Sequence, residues 1–171
     1  TPAVSVVSTL PLVTPDSAIS SLRDQFSSLN YHSPIITLAL RWLEQHRPAV
    51  STAPSLVHGD FRLGNLIVKP EGLAAVLDWE LSHLGDPIED VAYLCTPSWR
   101  FSGYDRAVAG IGEIAELLAA YELHSKTVVD KQRFRFWLLH SSLWWATACL
   151  KMTAFWRHGE DRSLERAVIG R

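Results

Sequence analysis

Residues 56–80 read LVHGDFRLGNLIVKPEGLAAVLDWE and decide the fold of this chain. Short apolar runs, which predict strands, alternate here with oxygen-bearing side chains, and residues 70–72 (PEG) predict the turn of a hairpin. Asp60, Asn65 and Asp78 each follow or end one of the apolar runs. Because a rigid strand can hold a side chain firmly at its end, and because loops on such scaffolds often carry catalytic groups, the stretch predicts a functional site.

The three polar residues have the chemistry that phosphoryl transfer needs. A carboxylate such as Asp60, at the start of a tight loop, can orient an attacking hydroxyl group and accept its proton. Asn65 offers a neutral amide oxygen and Asp78 a charged one, and Mg²⁺ is usually held by oxygen ligands of this kind together with substrate phosphates. Asp78 also lies in an apolar run, where an unpaired carboxylate would be costly, and this favours a cation as its partner.

Composition indicates an ordinary globular protein. The 171 residues fit one domain, with 47% hydrophobic and 20% charged residues. The net charge of −2 and the lack of a Lys/Arg run lead us to expect no nucleic-acid partner. The apolar runs are too short and too interrupted to cross a membrane. No signal peptide is visible and the two cysteines are interpreted as buried thiols, so we expect a cytoplasmic location.

The remaining sequence predicts a mainly α (α+β) domain. Strands are predicted at 56–57, 66–68 and 73–77, and helices over 14–29, 33–47, 86–96, 105–123 and 130–158. In the third helix, Asp86 is the expected cap, with Glu89 at the capping-box position. Residues 1–13 are expected to be extended, with residues 4–12 as a hinge or as the start of this domain. Residues 82–85 are expected to form a loop. Trp79 is expected in the core.

Three motifs, taken together, resemble a known family. Residues 58–65 (HGDFRLGN), followed by residues 78–80 (DWE), match the order of the catalytic and metal loops of protein kinases. Glycine in place of arginine in the first motif, and DWE in place of DFG, make the chain resemble the aminoglycoside phosphotransferase and choline kinase branch of the kinase-like fold. With residues 84–93 (LGDPIEDVAY), it most resembles the phosphotransferase domains found beside acyl-CoA dehydrogenases. The resemblance is dense over residues 56–94 and weaker in the C-terminal helices.

This resemblance implies a fold and a set of residue roles. The fold is the C-terminal lobe of a protein-kinase-like fold, with residues 1–171 as a single helical domain whose short β-hairpin carries the catalytic and metal loops. ATP is the implied phosphate donor, Mg²⁺ the cofactor and a small-molecule hydroxyl group the acceptor. The resemblance implies that Asp60 is the catalytic base and that Asn65 and Asp78 hold Mg²⁺ and, through it, the nucleotide phosphates. Glu80 is implied as a water-mediated metal contact, and Arg62 as a contact to phosphate or acceptor, or else as a surface ion pair. Three residues are implied to support the site: His58 braces the catalytic loop, Asp90 accepts bonds from N–H groups of that loop, and Asp86 gives structural support.

The other lobe of the fold is expected to be absent from this sequence. That lobe supplies a glycine-rich loop over the phosphates and a lysine that pairs with them. Residues 1–58 contain no glycine, and the first lysine is Lys69. We therefore expect a missing N-terminal nucleotide-binding lobe as a partner, and little or no kinase activity from these residues alone. The surface that this lobe would cover should be apolar, which favours a homodimer.

Several alternatives stay open at this stage. The chain could be a non-catalytic binding or assembly lobe, or His58 and Asp60 could belong to a metal hydrolase, although His83 and His140 lack ligand-like spacing. The Trp-rich helix is interpreted as core, with His140, Trp144 and Trp145 kept as weak acceptor-site candidates. The acceptor could be an aminoglycoside, a choline-like amine, a sugar or a hydroxyacyl thioester, and the subgroup resemblance favours the last.

Overall fold

The structure is a computed structural model that describes residues 9–29, 31–51 and 53–169. Its helices are α1 (Pro15–Ser28), α2 (Pro34–Gln45), α3 (Ile88–Tyr93), α4 (Ile114–Ser125), α5 (Lys131–His158) and α6 (Leu164–Val168). Its strands are β1 (Ser55–Val57), β2 (Leu66–Lys69), β3 (Gly72–Val76) and β4 (His83–Gly85). The predicted mainly helical fold with a short hairpin is confirmed. What was expected for residues 1–8 lies outside the described ranges.

The predicted hairpin over residues 66–77 is confirmed. Strands β2 and β3 pair antiparallel, with Leu66 opposite Val76 and Lys69 opposite Gly72. The turn between them falls at the predicted Pro-Glu-Gly sequence. This pairing places Asn65, directly before β2, beside the chain that leaves β3, and the Leu77 N–H donates to the Asn65 carbonyl at 2.8 Å.

The loop predicted over residues 82–85 is wrong, because three of these residues form β4. This strand pairs antiparallel with β1, with Val57 opposite His83. It is also bonded on its other side, where the Val13 N–H donates to the Leu84 carbonyl at 2.8 Å and the Leu84 N–H to the Pro11 carbonyl at 2.9 Å. A strand this short exists because of partners distant in sequence, and local pattern does not reveal it.

Local capping signals explain the starts of two long helices. At the start of α1, Thr14 Oγ1 accepts from the Ser17 N–H at 3.2 Å, and Ser17 Oγ accepts from the Thr14 N–H at 2.9 Å. At the start of α5, the Asp130 carboxylate accepts from the backbone N–H groups of Gln132 and Arg133 at 2.7 and 3.0 Å. Such bonds satisfy N–H groups that a helix leaves without internal partners. Both predicted helices are confirmed.

The helix predicted over residues 105–123 begins only at Ile114. Ala109 and Gly110 have φ values of 50° and 76°, which a right-handed helix does not contain. The Ala109 N–H donates to the Leu94 carbonyl at the end of α3. This tertiary contact holds the segment in a non-helical conformation, although its apolar residues have helical spacing. Ile111, expected on the apolar face of the helix, is 61% exposed. The sequence reading also did not predict the short helix α6.

The core forms where α5 packs against α3, α1 and α2. Its most buried large side chains are Leu22, Leu43, Phe136 and Trp137. The Trp-rich helix is therefore core over its first half, while Phe155 near its end is exposed. Trp79 is 44% exposed, so its expected place in the core is wrong. No helix in the described ranges combines the length and apolarity needed to span a membrane.

Asp86 links α3 to α5 from a site that is 4% exposed. Its carboxylate accepts from the Ile88 N–H at 3.1 Å and from Trp137 Nε1 at 2.9 Å, and it pairs with Arg133 Nε at 3.3 Å. The capping role predicted for Asp86 is thus present, but the capping box is wrong. Glu89 faces His83 instead, with Oε2 at 3.2 Å from Nε2.

Replacing Asp86 tests this link. We expect Asp86→Ala to lower the free energy of unfolding by about 3 kcal/mol, because the Trp137 N–H and the Arg133 guanidinium lose a buried charged partner. Asp130→Ala is the matched control, since it removes an exposed N-terminal cap of α5, the helix that Asp86 contacts, and should cost about 1 kcal/mol. Urea unfolding of both variants measures the difference. Equal losses would show that Asp86 acts as a cap alone.

Candidate active site

The loop of residues 58–60 is held on α3 by one carboxylate. Asp90 accepts from the His58 N–H at 2.7 Å and from the Gly59 N–H at 3.0 Å, one bond to each of its oxygens. Burial raises the pKa of Asp90, and the two N–H bonds offset part of that effect. Sequence reasoning expected Asp90 to accept loop N–H groups, and it does so from two consecutive residues. The loop therefore has a fixed position relative to α3.

Gly59 allows this loop to approach the turn that follows β3. Its φ is +84°, and a Cβ atom at this position would lie 2.6 Å from the Leu81 carbonyl oxygen. Real Cβ atoms essentially never come so close to an oxygen atom. A side chain would also have to adopt a left-handed backbone conformation that favours glycine. The glycine of the HGD sequence is therefore required by steric contact with residues 79–81.

His58 braces two loops against each other and is fully buried. Its Nδ1 accepts from the Asp60 N–H at 3.1 Å, and its Nε2 lies 2.7 Å from the Leu77 carbonyl oxygen. Because Nδ1 accepts a hydrogen bond, the proton of the neutral ring is on Nε2, which donates a hydrogen bond to the Leu77 carbonyl. The tautomer is assigned from this network. Both ring nitrogens bond to backbone groups. This geometry agrees with a bracing role and makes His58 a positioning residue.

The Asp60 carboxylate lies at the centre of a hydrogen-bonded cluster, with its side chain 15% exposed. Oδ1 accepts from the Tyr93 hydroxyl at 2.8 Å, and Oδ2 accepts from Asn65 Nδ2 at 2.7 Å and from Arg62 Nε at 3.1 Å. These donors fix the orientation of the carboxylate and leave part of it open. A carboxylate held in this way is suited to align a hydroxyl group that approaches from the open side.

Tyr93 has a place in this cluster that sequence reasoning missed. It closes the third motif, but nothing in the sequence assigned it a contact. Burial and the bond to Asp60 raise the pKa of the Tyr93 hydroxyl, so it stays protonated and donates. The signal that could have found it is the spacing of Tyr93 from Asp90, because residues three apart share a face of α3. The helix that anchors the loop with Asp90 therefore also orients the base candidate.

The side-chain amide of Asn65 is oriented by the Asp60 residue. Its Nδ2 donates both to the Asp60 carboxylate and to the Asp60 carbonyl, at 2.7 and 2.9 Å, which places the NH₂ group towards Asp60. Oδ1 then points away from these two acceptors. The Leu77 N–H bonds to the Asn65 carbonyl, and Asp78 is the residue after Leu77 in the chain.

Asp78 and Glu80 lie at the edge of the cluster and are exposed. Asp78 has a left-handed conformation with φ 67° and ψ 57°, which turns the chain into residues 79–81. The sequence placed Asp78 in an apolar run where an unpaired carboxylate would be costly, and this expectation is wrong. Asp78 is exposed, so its carboxylate has no desolvation cost that a cation must offset. The residue before it, Leu77, bonds to the Asn65 carbonyl, so Asp78 comes directly after a contact with the Asp60–Asn65 pair and is itself exposed.

Arg62 belongs to the site and is not a freely solvated surface charge. Its Nε bonds to Asp60, and its guanidinium carbon lies 5.3 Å from the centre of the Trp99 ring. Stacking over an aromatic ring orients the planar guanidinium and adds cation–π attraction. The ion-pair alternative for Arg62 is therefore present, with the candidate base itself as the partner, and its contact to phosphate or acceptor stays a prediction.

Metal ligation through a larger set of residues is not supported. Within the described ranges, no group of three or more His, Cys, Asp or Glu is arranged to hold a metal ion. A hydrolase site built around His58 would need such a group. A magnesium site needs fewer protein ligands, because phosphate oxygens and water complete the coordination. Amide and carboxylate oxygens, such as those of Asn65 and Asp78, are of the kind that such a site uses.

Similarity to known sequences covers the same region. Residues 16–137 match the model of the phosphotransferase enzyme family. Acyl-CoA dehydrogenase family member 10 of Mus musculus is 55% identical over 64 residues, which cover 36% of this chain and 6% of that protein. Acyl-CoA dehydrogenase family member 11 of Pongo abelii is 34% identical over 98 residues, or 52% of this chain and 12% of that protein. The chain thus spans a small part of these curated relatives.

Similar solved structures have the same architecture. A protein from Ralstonia eutropha, described as an aminoglycoside phosphotransferase, superposes with a TM-score of 0.78 at 30% identity, covering 94% of this chain and 52% of that one. A macrolide 2'-phosphotransferase type I superposes with a TM-score of 0.61 at 17% identity, covering 99% of this chain and 52% of that one, and shows the shared fold. The chain matches about half of each, as the helical C-terminal lobe of a kinase-like fold.

The close contact at Gly59 can be tested by substitution. Both Gly59 and Gly72 have positive φ, but a Cβ atom at Gly72 would meet nothing within 4 Å. We expect Gly72→Ala to cost about 1–2 kcal/mol of unfolding free energy from backbone strain alone, and Gly59→Ala to cost roughly 3 kcal/mol or more because of the added contact. Urea unfolding measures both. If Gly59→Ala costs no more than Gly72→Ala, the 58–60 loop is not packed against Leu81 as described.

Proposed function

Because this chain belongs to the phosphotransferase enzyme family, we propose that it is the catalytic lobe of an ATP-dependent small-molecule O-phosphotransferase. The observation that carries the proposal is the position of Asp60. Its carboxylate is oriented by three donors on residues 62, 65 and 93, and its side chain remains partly open. In this proposal Asp60 orients the acceptor hydroxyl group and receives its proton as the γ-phosphate is transferred.

Asn65 and Asp78 would hold magnesium in this site. The amide orientation of Asn65 leaves Oδ1 as its free oxygen, and Asp78 offers a solvent-facing carboxylate from the end of the paired strand. Glu80, two residues further, would contact the metal through water. When bound, Mg²⁺ would neutralise phosphate charge and so bring the ATP phosphates to the loop. The support for this assignment is the donor chemistry and the short route from Asn65 to Asp78 through Leu77.

Arg62 and His58 would act as positioning residues in this mechanism. Arg62 holds Asp60 and is itself held over Trp99, so it can align the carboxylate and attract phosphate with its remaining N–H groups. His58 keeps the loop and the strand end before Asp78 at a fixed separation. Catalysis would then rest on placement and charge, as is general for phosphoryl transfer.

We further propose that activity needs a second, nucleotide-binding lobe. Next to the site, three large apolar side chains are more than 40% exposed: Leu77, Trp79 and Leu81. Exposed apolar patches of this kind commonly mark contact surfaces. The solved structures that superpose on this chain are about twice its length, which also supports a further lobe. A second copy of the chain is the other expected occupant of this surface.

For the acceptor, we propose a hydroxyacyl metabolite in preference to an aminoglycoside. The two curated relatives, at 55% and 34% identity, carry acyl-CoA dehydrogenase names, whereas the aminoglycoside description belongs to a structure at 30% identity. Matching stretches that cover 6% and 12% of such proteins are consistent with a domain beside a dehydrogenase. A metabolite that carries both an acyl chain and a hydroxyl group would suit such a neighbour.

The role of Asp60 can be tested in the complete gene product that carries this chain. Asp60→Asn should lower phosphate transfer from ATP about 10²–10⁴-fold, the usual contribution of a general base, and leave Mg–ATP binding within about threefold. Asp78→Asn should instead weaken Mg–ATP binding. Glu71→Gln, an exposed acid at the hairpin turn, is the control and should change neither. Steady-state transfer and calorimetric titration give the two readouts. Unchanged transfer by Asp60→Asn would remove Asp60 from its proposed role.

The acceptor proposal has its own measurement. We expect ³²P transfer from the γ-phosphate of ATP to a hydroxyacyl thioester, and none to the same thioester without the hydroxyl group, to kanamycin or to choline. The acyl chain without a hydroxyl group controls for hydrolysis and non-specific labelling. Labelling of kanamycin or choline with the hydroxyacyl thioester unlabelled would show that the acceptor class is wrong while the kinase activity stands.

A further inference from the structure

Gly64 lies in the loop between the candidate site residues Asp60 and Asn65, and its backbone conformation does not require a glycine. It belongs to a single 3₁₀ turn, which the Asn65 N–H closes by donating to the Arg62 carbonyl at 2.9 Å. Gly59 has a positive φ, whereas Gly64 does not. A residue with a side chain could adopt the conformation of Gly64, so the reason for a glycine lies in its surroundings.

The end of the Arg62 side chain occupies the space where a side chain at Gly64 would lie. A Cβ atom at this position would overlap Arg62 Nη1 and lie 3.4 Å from the guanidinium carbon. In the described part of the chain, no other residue apart from its chain neighbours comes within 4 Å of that atom. The obstacle at Gly59 is a backbone carbonyl, but here it is the movable end of a side chain. A methyl group at Gly64 would therefore shift Arg62 and leave the fold in place.

Two partners fix the position of the guanidinium group. Arg62 Nε donates to Asp60 Oδ2 at 3.1 Å, and the guanidinium carbon lies 5.3 Å from the centre of the Trp99 ring. Trp99 is only 4% exposed and packs against Trp145 and Tyr93, with ring centres 4.6 and 5.6 Å away. This ring cannot follow a displaced guanidinium group, because close packing holds buried aromatic side chains in place. Displacement of Arg62 would thus weaken both contacts at once.

The terminal nitrogens of Arg62 depend on the same placement. Within the described ranges, neither Nη1 nor Nη2 has a hydrogen bond to a protein group, and the side chain is 29% exposed. Because the guanidinium group is planar and is held at Nε and on one face, its remaining N–H groups have a fixed direction. Gly64 therefore controls the direction of these donors as well as the bond to Asp60.

We propose that Gly64 is a positioning residue of the candidate site, since the absence of a side chain at this position lets Arg62 bond to Asp60 while it lies over the Trp99 ring. Gly64 acts through Arg62 and needs no contact with substrate. That this placement contributes to phosphate transfer rests on the proposed function, in which Asp60 orients the acceptor hydroxyl group. The placement of Arg62 itself does not depend on it.

The Nε–H signal of Arg62 in ¹⁵N NMR spectra reports on this placement without nucleotide or acceptor. Arg62→Ala identifies the signal by removing it. We expect Gly64→Ala to speed the exchange of this proton with water at least about tenfold, because the bond to the Asp60 carboxylate is lost. Gly112→Ala is the matched control and should leave the exchange unchanged, since Gly112 also lacks a positive φ and a Cβ atom there would lie 3.8 Å from Val108 Cβ. Unchanged exchange in Gly64→Ala would overturn the proposal.

Phosphate transfer tests whether Gly64 acts through Arg62. In the complete gene product, with ATP and a hydroxyacyl thioester, Gly64→Ala should lower kcat about 10–100-fold, the usual value of a hydrogen bond to a charged group, and leave KM for ATP within about threefold. Gly64→Ala in an Arg62→Ala background should cause no further loss, because a missing side chain cannot be displaced. A further loss there would show that the substitution acts on the next residue, Asn65, and would contradict the assignment.

The melting temperature separates positioning from a general loss of structure. Gly64→Ala should not lower it, because alanine in an unstrained conformation reduces the entropy of the unfolded chain. Gly59→Ala should lower it, because there the added Cβ atom meets a backbone carbonyl. A similar decrease in both variants would show that Gly64 has a structural role and would contradict the proposal.

The outcome can be separated from that of the proposed function. If Asp60→Asn leaves phosphate transfer unchanged while Gly64→Ala speeds the exchange of the Arg62 proton, the assignment of Gly64 stands and the proposed function fails. If Asp60→Asn abolishes transfer while Gly64→Ala changes neither the exchange nor kcat, the kinase proposal stands and the assignment of Gly64 fails.

Discussion

The candidate site depends on one interaction, the bonds that the Asp90 carboxylate accepts from the His58 and Gly59 N–H groups. A buried carboxylate is stable when N–H groups compensate for the water that it loses. Here these N–H groups belong to the loop that presents Asp60. The same two hydrogen bonds therefore satisfy the buried carboxylate and fix the position of the loop. Because Gly59 has no Cβ atom, residues 79–81 can pack directly against the loop. Asp78, which comes just before them, is positioned by this contact.

The short helix α3 connects this loop to the rest of the molecule. Asp86, just before it, bonds to Trp137 in the core helix α5, and Tyr93, at its end, orients Asp60. On a third side, Glu89 pairs with His83 of β4. A helix of six residues would be marginal alone, since isolated short helices are unstable in water. Its stability comes from these buried contacts, so the site and the core stabilise each other.

The sequence allowed good prediction wherever the signal is local. The start of α1 after Thr14, the Pro-Glu-Gly turn and the order of the three motifs each depend on neighbours within a few residues. Prediction failed where distant contacts decide the structure. Strand β4 exists because β1 and Leu12 lie beside it, and the start of α4 is delayed because Ala109 bonds to Leu94. The Tyr93–Asp60 bond and the exposure of Trp79 and Asp78 likewise depend on packing that no local pattern encodes.

The central claim is that Asn65 and Asp78 together form the metal-binding part of a phosphate-transfer site. Mn²⁺, which takes oxygen ligands like Mg²⁺ and is paramagnetic, tests this claim directly when added with ATP to ¹⁵N-labelled chain. The account predicts that the first amide NMR signals to broaden are those of residues 65 and 77–80, and that Asp78→Asn largely removes this broadening. Broadening that begins elsewhere, with residues 65 and 77–80 unaffected, would contradict it.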